Sequence, residues 1–414
     1  MQFGTRYLRV FLAVAEHGSV NKAAAALFRA QSAVTRSIHE LERSLDVELF
    51  ERRAGGMLPT AFGKTLLRRA RRIQAEMHAA RKTLQANAGP RTRISNAPIF
   101  SLIITERQLQ SFVALTEQHH MHSVAESLGI TQPAVSTTVR KLEQDIGVSL
   151  FTRSPQGMLP TRNGVLLALH VKRALAEARS ASAEIAALNG VTQGIVRVGA
   201  LPLGRTRLLP LAIAGLLQKH RGLQVETVEG SFELLAAGVR SGDVDFILGA
   251  LRPAAYATDL VGEALLEDQL AIVARGGHPL ATRKRLGIPA VARYAWILPR
   301  KGAPTRELFE AMLAGRGHAV PDVAVETSDL AVLRGVLLES DMLTAVSPRQ
   351  LYYELEAGLL AILPLPLPET RRQIGITQRT DSHPSPAANL LMAEIRDLCA
   401  TMTPAAGKSA RSAK

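Results

Sequence analysis

The sequence predicts a multidomain chain: two copies of a small helical module with a hairpin, each followed by a long helix, and then an α/β domain of two lobes. Three observations predict it. Residues 8–67 recur at an offset of 101 without a gap. The stretch after each copy carries apolar residues at alternating steps of four and three. From Gly194 onward the pattern changes to alternating strands and helices.

Composition bounds what such a chain does. Its 414 residues, 47% hydrophobic and 21% charged, suit two to four domains of roughly 100–200 residues and exclude a disordered chain. The sole cysteine, Cys399, excludes a disulfide scaffold and a Cys-based zinc cage. No run approaches the ~18 apolar residues of a membrane span, and Met1-Gln-Phe-Gly-Thr-Arg6 lacks the charged-then-apolar order of a secretory signal. The expectation is a soluble intracellular protein with no membrane partner. The net charge of +14 points to an anionic partner. Residues 1–93 hold 17 Lys/Arg against 7 Asp/Glu, residues 94–193 hold 8 against 7, and the remainder 25 against 22, so the excess belongs to the first copy.

The copies are matched motif by motif. Phe11-Leu-Ala-Val-Ala-Glu16 recurs as Phe112-Val-Ala-Leu-Thr-Glu117, Gln31-Ser-Ala-Val-Thr35 as Gln132-Pro-Ala-Val-Ser136, and Gly56-Met-Leu-Pro-Thr60 as Gly157-Met-Leu-Pro-Thr161. In the second copy Leu109, Phe112, Val113 and Thr116 share a helical face, and Ser123 is placed to cap a short helix carrying Val124 and Leu128. Gly129 suits a turn of positive φ. Thr131 is placed to cap a longer helix with Pro133 in its first turn. On that helix Val135, Val139, Leu142 and Ile146 face inward, leaving Gln132, Ser136, Thr137 and Arg140 outward. Short helix, tight turn, second helix is the helix-turn-helix pattern, whose second helix reads bases in the major groove. The following hairpin, with Arg153, makes a wing able to reach a phosphate.

The candidate DNA-binding residues are therefore Gln31, Ser32, Thr35, Arg36, Arg52 and Arg53 in the first module and Gln132, Pro133, Ser136, Thr137, Arg140 and Arg153 in the second. The first copy has Phe28-Arg29-Ala30 where the second has Gly129-Ile130-Thr131, so its turn lacks the glycine and its helix the threonine cap.

The long helices carry Leu66, Ala70, Ile73, Met77, Ala80 and Leu84, then Leu167, Val171, Ala174, Ala178, Ala181, Ile185 and Leu188. Such a narrow stripe suits pairing with another helix rather than packing on its own module. Lys64, Arg68, Arg69, Arg71, Arg72, Arg81 and Lys82 flank the first stripe, as a solvated face or as phosphate contacts. Gly89-Pro90 stops that helix and begins a polar connector.

Beyond Gly194, strands at 195–200, 223–229 and 244–250 alternate with helices at 208–219 and 232–241. Strands at 295–299, 323–327 and 343–347 alternate with helices at 305–314, 330–339 and 348–356. Stretches 260–275 and 374–380 join the two groups. Open α/β sheets bind ligands beyond the carboxyl ends of their strands, which makes Leu201, Pro202, Leu203, Arg205, Ser231, Phe232, Thr327 and Ser328 the candidate effector-binding residues. Ser231 and Ser328 stand where helix N-caps belong.

At these residues the sequence resembles the LysR-type bacterial transcriptional regulators. The resemblance rests on Ser123-Val-Ala-Glu-Ser-Leu-Gly-Ile-Thr-Gln-Pro-Ala-Val-Ser136, Leu142-Glu143, Leu150-Phe151-Thr-Arg153, Thr161-Arg-Asn-Gly164, Gly194-Ile-Val-Arg-Val-Gly199, Leu208-Leu-Pro210 and His278-Pro-Leu-Ala281. It implies a winged module on promoter DNA, a dimerising helix after it, and a C-terminal domain of the type 2 periplasmic-binding-protein fold holding a small metabolite. It further implies RNA polymerase as a partner, a homodimer or homotetramer, a place in the cytoplasm on the bacterial nucleoid, and no cofactor. Val198-Gly-Ala-Leu-Pro-Leu203 is similar to regulators responding to sugars or to aromatic and organic acids. The chain departs from the family in carrying two DNA-binding modules. The expected divisions are 1–62 and 106–163 for the modules, 63–88 and 164–190 for their helices, 89–105 for the connector, 194–402 for the effector domain and 403–414 for a basic tail.

The alternative is a ligand-sensing or architectural DNA-bridging protein in which the first module serves dimerisation only. An enzyme is not expected: phosphate-loop, dinucleotide and nucleophile-elbow motifs are missing from the sequence. His119-His120-Met-His122 falls at a helix end, where solvated histidines outweigh a metal site, and Trp296 reads as core.

Overall fold

The computed structural model describes residues 5–53, 56–89 and 92–402; the expected basic tail lies outside them. The chain divides into two compact units with the main break between Gly194 and Ile195, the short segments Arg240–Asp243 and Pro384–Ala387 going with the first.

In the first unit, α1 (Leu8–His17), α2 (Val20–Ala26) and α3 (Gln31–Leu45) precede the hairpin β1 (Phe50–Arg53) and β2 (Gly56–Pro59) and the long α4 (Ala61–Ala88). The second copy follows as α5 (Glu106–Gln118), α6 (Met121–Leu128), α7 (Gln132–Ile146), β3 (Phe151–Ser154), β4 (Gly157–Pro160) and α8 (Arg162–Leu188). Bounds of α3 and α7, and of the two hairpins, differ by the same 101 residues as the sequence repeat. Packing repeats too: Phe11 meets Phe50 at 5.2 Å between ring centroids, and Phe112 meets Phe151 at 5.8 Å.

Helix starts follow local chemistry with two departures. Thr60 and Thr161 each accept the backbone N–H three residues on, at 3.1 Å, opening α4 and α8. Thr105 and Gln108 form a reciprocal capping box on α5. Thr131, expected to cap α7, makes no side-chain cap, leaving Pro133 to relieve the first turn of one donor. Ser123, expected as the cap of α6, lies inside a helix that begins two residues earlier at Met121.

The connector departs further from expectation. In place of a polar tether, Ile94, Ala97, Ile99, Phe100, Leu102 and Ile104 are all buried, with a 3-10 turn at Pro98–Ser101 packed on α4. Gln85 fastens its start, donating to the Thr92 carbonyl at 2.7 Å and accepting the Ile94 N–H at 2.9 Å. One continuous core thereby runs from Leu8 to Ile185 through both modules.

The seam of that core is α4 against α8. Every expected stripe residue is buried except Leu188, which is exposed. Polar partners across it run antiparallel: Arg69 with Glu177 and Glu184, Glu76 and Thr83 with His170, Asn87 with Asn163. The dimerisation-type stripes are thus satisfied within one chain.

The second unit contains two five-stranded sheets. One has the order β6 (Leu223–Val228), β5 (Gly194–Ala200), β7 (Phe246–Ala250), β14 (Arg372–Arg379), β8 (Leu260–Asp268); the other β11 (Val323–Glu326), β10 (Trp296–Leu298), β12 (Leu343–Val346), β9 (Ala271–Arg275), β13 (Leu360–Ile362). β5 and β7 are parallel, as are β10, β11 and β12, while β14 and β9 run antiparallel to their neighbours. Helices α9 (Pro202–Arg205), α10 (Leu208–Lys219) and α11 (Phe232–Ser241) belong to the first lobe. To the second belong α12 (Ile288–Val291), α13 (Pro304–Gly315), α14 (Leu330–Leu338) and α15 (Tyr352–Glu356); α16 (Pro386–Met402) carries the buried Cys399. Trp296 is core, its indole N–H donating to the Val291 carbonyl at 3.2 Å.

Candidate functional site

Each recognition helix is held by a carboxylate. Glu143 on α7 accepts the N–H groups of Leu150 and Phe151 at 2.8 and 3.1 Å, and Glu42 on α3 accepts those of Leu49 and Phe50 at 2.9 and 3.4 Å. The wing is therefore bolted to the recognition helix. Its other side docks on the turn between the first two helices, Met158 N–H donating to the His119 carbonyl at 2.7 Å and Met57 N–H to that of Gly18 at 2.8 Å. His119 thus serves the fold as a left-handed helix end.

Gln132, Pro133, Ser136 and Arg140 from α7 and Arg153 from β3 line one concave surface of about 730 Å³, joined by Met121 and Met158. Thr137 is exposed on α7 outside that concavity. On the first module Gln31, Ser32, Arg36, Arg52 and Arg53 are exposed and Thr35 is half-buried. Arg53 pairs with Glu51 at 3.0 Å; Arg36, Arg52, Arg140 and Arg153 have no acidic partner among the described residues. Cationic side chains free of acids on a reading surface are available to phosphates and base edges.

The cations flanking the first stripe divide differently from expectation. Arg69 is fully buried between Glu177, at 2.6 Å, and Glu184; Arg72 reaches Glu177 at 3.3 Å and Arg68 reaches Glu184 at 2.7 Å. Burial by itself would push the Glu184 carboxyl up, but Arg69 and Arg68 outweigh it and hold it below its ordinary range. These three arginines are committed to the seam.

In the α/β unit all eight predicted residues, Leu201, Pro202, Leu203, Arg205, Ser231, Phe232, Thr327 and Ser328, line one cavity of about 660 Å³. They sit beyond the carboxyl ends of β5, β6 and β11, as open α/β sheets arrange. Ser231 caps α11, accepting the Leu234 N–H at 3.2 Å. Ser328 is not the cap of α14; Asp329 is, accepting the Val332 N–H at 2.9 Å, which leaves the Ser328 hydroxyl to the cavity. Sequence reasoning missed Arg252 and Arg372. Arg372 is held by Asp268 at 3.0 Å and Thr305 at 3.1 Å. Arg252 stacks on Phe232 at 4.9 Å and helps hold the Glu233 carboxyl below its ordinary range, behind the Tyr256 hydroxyl as the main cause, whereas Arg205 has no carboxylate partner among the described residues.

The family model for the bacterial regulatory helix-turn-helix of the lysR family matches residues 5–64 and again 106–165, and that for the LysR substrate binding domain matches residues 189–400. The HTH-type transcriptional regulator GalR of Pseudomonas putida is 46% identical over 94% of this chain and 96% of its own length. The chain belongs to the LysR family. The HTH-type regulator PcaQ of Agrobacterium fabrum is 31% identical over 70% of this chain and 94% of its own. The solved LysR regulator CbnR, 19% identical, superposes with a TM-score of 0.52 over 70% of this chain and 98% of its own, a likeness of fold. This LysR-type protein is a DNA-binding transcriptional regulator with an effector-binding C-terminal domain, and not an enzyme. No described helix is long and apolar enough to cross a membrane.

Proposed function

We propose that this LysR-type regulator reads promoter DNA through Gln132, Pro133, Ser136, Thr137, Arg140 and Arg153 and their counterparts Gln31, Ser32, Thr35, Arg36, Arg52 and Arg53. Its effector is a small organic acid. One observation carries the choice of an acid over a neutral sugar: Arg205, Arg252 and Arg372 all line the cleft, and Arg205 has no carboxylate partner among the described residues. A cation facing a partly desolvated cavity favours an anion that hydrogen-bonds its guanidinium. Phe232 offers an aromatic wall. RNA polymerase is the partner through which binding acts, the protein works in the cytoplasm on the nucleoid, and chains associate as dimers or tetramers.

Thermal unfolding with 4-hydroxybenzoate, its amide, and a neutral hexose tests the ligand class. The carboxylate is expected to raise the unfolding temperature where its amide does not, by a free energy of about 2.7 kcal/mol at a hundredfold excess over Kd. Replacing both Arg205 and Arg252 by alanine removes the effect. Stabilisation by the hexose alone, undiminished in the double variant, overturns the acid.

A further inference from the structure

We propose that a single chain carries a complete two-headed DNA-reading unit, and that the duplex it selects has two unlike halves, one read by α3 and the other by α7. The inference rests on the promoter-binding role above and adds its stoichiometry and specificity.

The α4–α8 seam has the exchange pattern of a two-fold interface, in which residue i meets j and j meets i. At the offset of 101, His170 is the counterpart of Arg69, Glu177 of Glu76, and Glu184 of Thr83. Arg69 meets Glu177 and Glu184; His170 meets Glu76 at 2.8 Å and Thr83 at 3.3 Å. The two modules are therefore related as the halves of a homodimer would be, inside one polypeptide. Buried connector residues Ile99 and Phe100 lock them into that one core.

Charge selects α4 against α8 over two like helices, and the short buried connector keeps both in one chain. Two α8 helices paired alike would set His170 against Glu177 and Glu184 twice over, burying four carboxylates without Arg69 and with only Arg173, the counterpart of Arg72, to face them. Removing a charge's partner at a buried site is strongly unfavourable. Only α4 supplies Arg69, which the seam encloses with 1% of its surface exposed.

The two heads are chemically distinct. At matched positions the first module has Ser32, Arg36 and His39 where the second has Pro133, Thr137 and Arg140, so the helix-borne guanidinium moves by about one turn. Ahead of α3 stands Phe28, left-handed at φ 54 and 97% exposed, where the second module has Gly129 at φ 59. Arginine placed one turn along a recognition helix meets a different base pair. A site with equal halves cannot satisfy both.

The test uses the full-length protein to select from random-sequence duplex DNA. An unequal-halved site is expected. Arg36→Ala should relax preference in one half and Arg140→Ala in the other, each weakening binding about tenfold or more. All the substituted side chains are exposed, so circular dichroism should be unchanged. A chain carrying Gln31→Ala with Arg36→Ala is then mixed with one carrying Gln132→Ala with Arg140→Ala, on a duplex just long enough for one selected site. Heads built within one chain leave the mixture no tighter than its better component. Restored wild-type affinity, or a palindromic site whose two halves both respond to Arg140→Ala, overturns the inference while leaving promoter binding intact. Selection of no sequence at all overturns promoter reading itself and the inference with it.

Discussion

Phe28 and His278 are single residues whose conformation or protonation is set by the fold against their own preference. A left-handed backbone costs a residue with a Cβ roughly 1–2 kcal/mol, and Phe28 adopts it in the turn between α2 and α3, where the matching turn between α6 and α7 has Gly129. His278 is buried, its Nδ1 accepting the Leu280 N–H at 3.1 Å, so that Nε2 carries the proton toward the Asp341 carbonyl at 3.2 Å. Burial lowers its proton affinity; the Asp341 carbonyl and carboxylate pull the other way, and Arg275 adds to the lowering. The folded chain keeps this imidazole neutral below 6.5, the value at which the unfolded chain protonates. The unfolded state then binds more protons, so the stability it contributes is present above pH 6.5 and lost as pH falls from there toward the depressed value. Urea unfolding followed by Trp296 fluorescence should show this loss, with a slope contribution of at most about 1.4 kcal/mol per pH unit. The His278→Gln variant should lack it; an equal slope in the variant contradicts the assignment.

At the scale of elements, the connector determines whether the two modules behave as one body. Phe100 is buried to 1% exposure, and truncating a buried phenylalanine to alanine costs about 3–5 kcal/mol. Phe100→Ala is expected to lower the midpoint for both modules together, read by hydrogen exchange in α3 and α7; loss of protection in one module alone would show the connector to be a mere tether. This role was hidden in the sequence because the segment has no helical or strand period: Ile94, Ala97, Ile99, Phe100, Leu102 and Ile104 follow no regular spacing, and its Pro and Gly neighbours read as a loop. The long helices were legible because Leu66, Ile73, Met77 and Leu84 repeat cleanly, yet periodicity carries no information on which helix answers. That came only with Arg69 against Glu177 and Glu184, partners over a hundred residues apart. Likewise strand ends located all eight cleft-lining candidates, whereas Arg252 and Arg372 enter from irregular chain or a returning strand and left no motif.

For the whole molecule, two compact units with separate cores predict two calorimetric transitions in place of one. Phe100→Ala should shift one of them, and an organic acid in the cleft the other. Coincident shifts of both would show that the units unfold as one. Both units are built by pairing two similar halves, helical modules in one and five-stranded sheets in the other, but only the first keeps its halves recognisable in sequence.

The unlike residues at the α4–α8 seam bear on how the protein can change. In a homodimer every substitution appears at both symmetry-related positions, so a change suited to one side is imposed on the other. Here Arg69 and His170 occupy equivalent places and have already diverged, each with partners matched to itself. Mutation can therefore adjust one half of the first unit while its counterpart stays as it was, a freedom that covalent linkage provides and symmetry withholds.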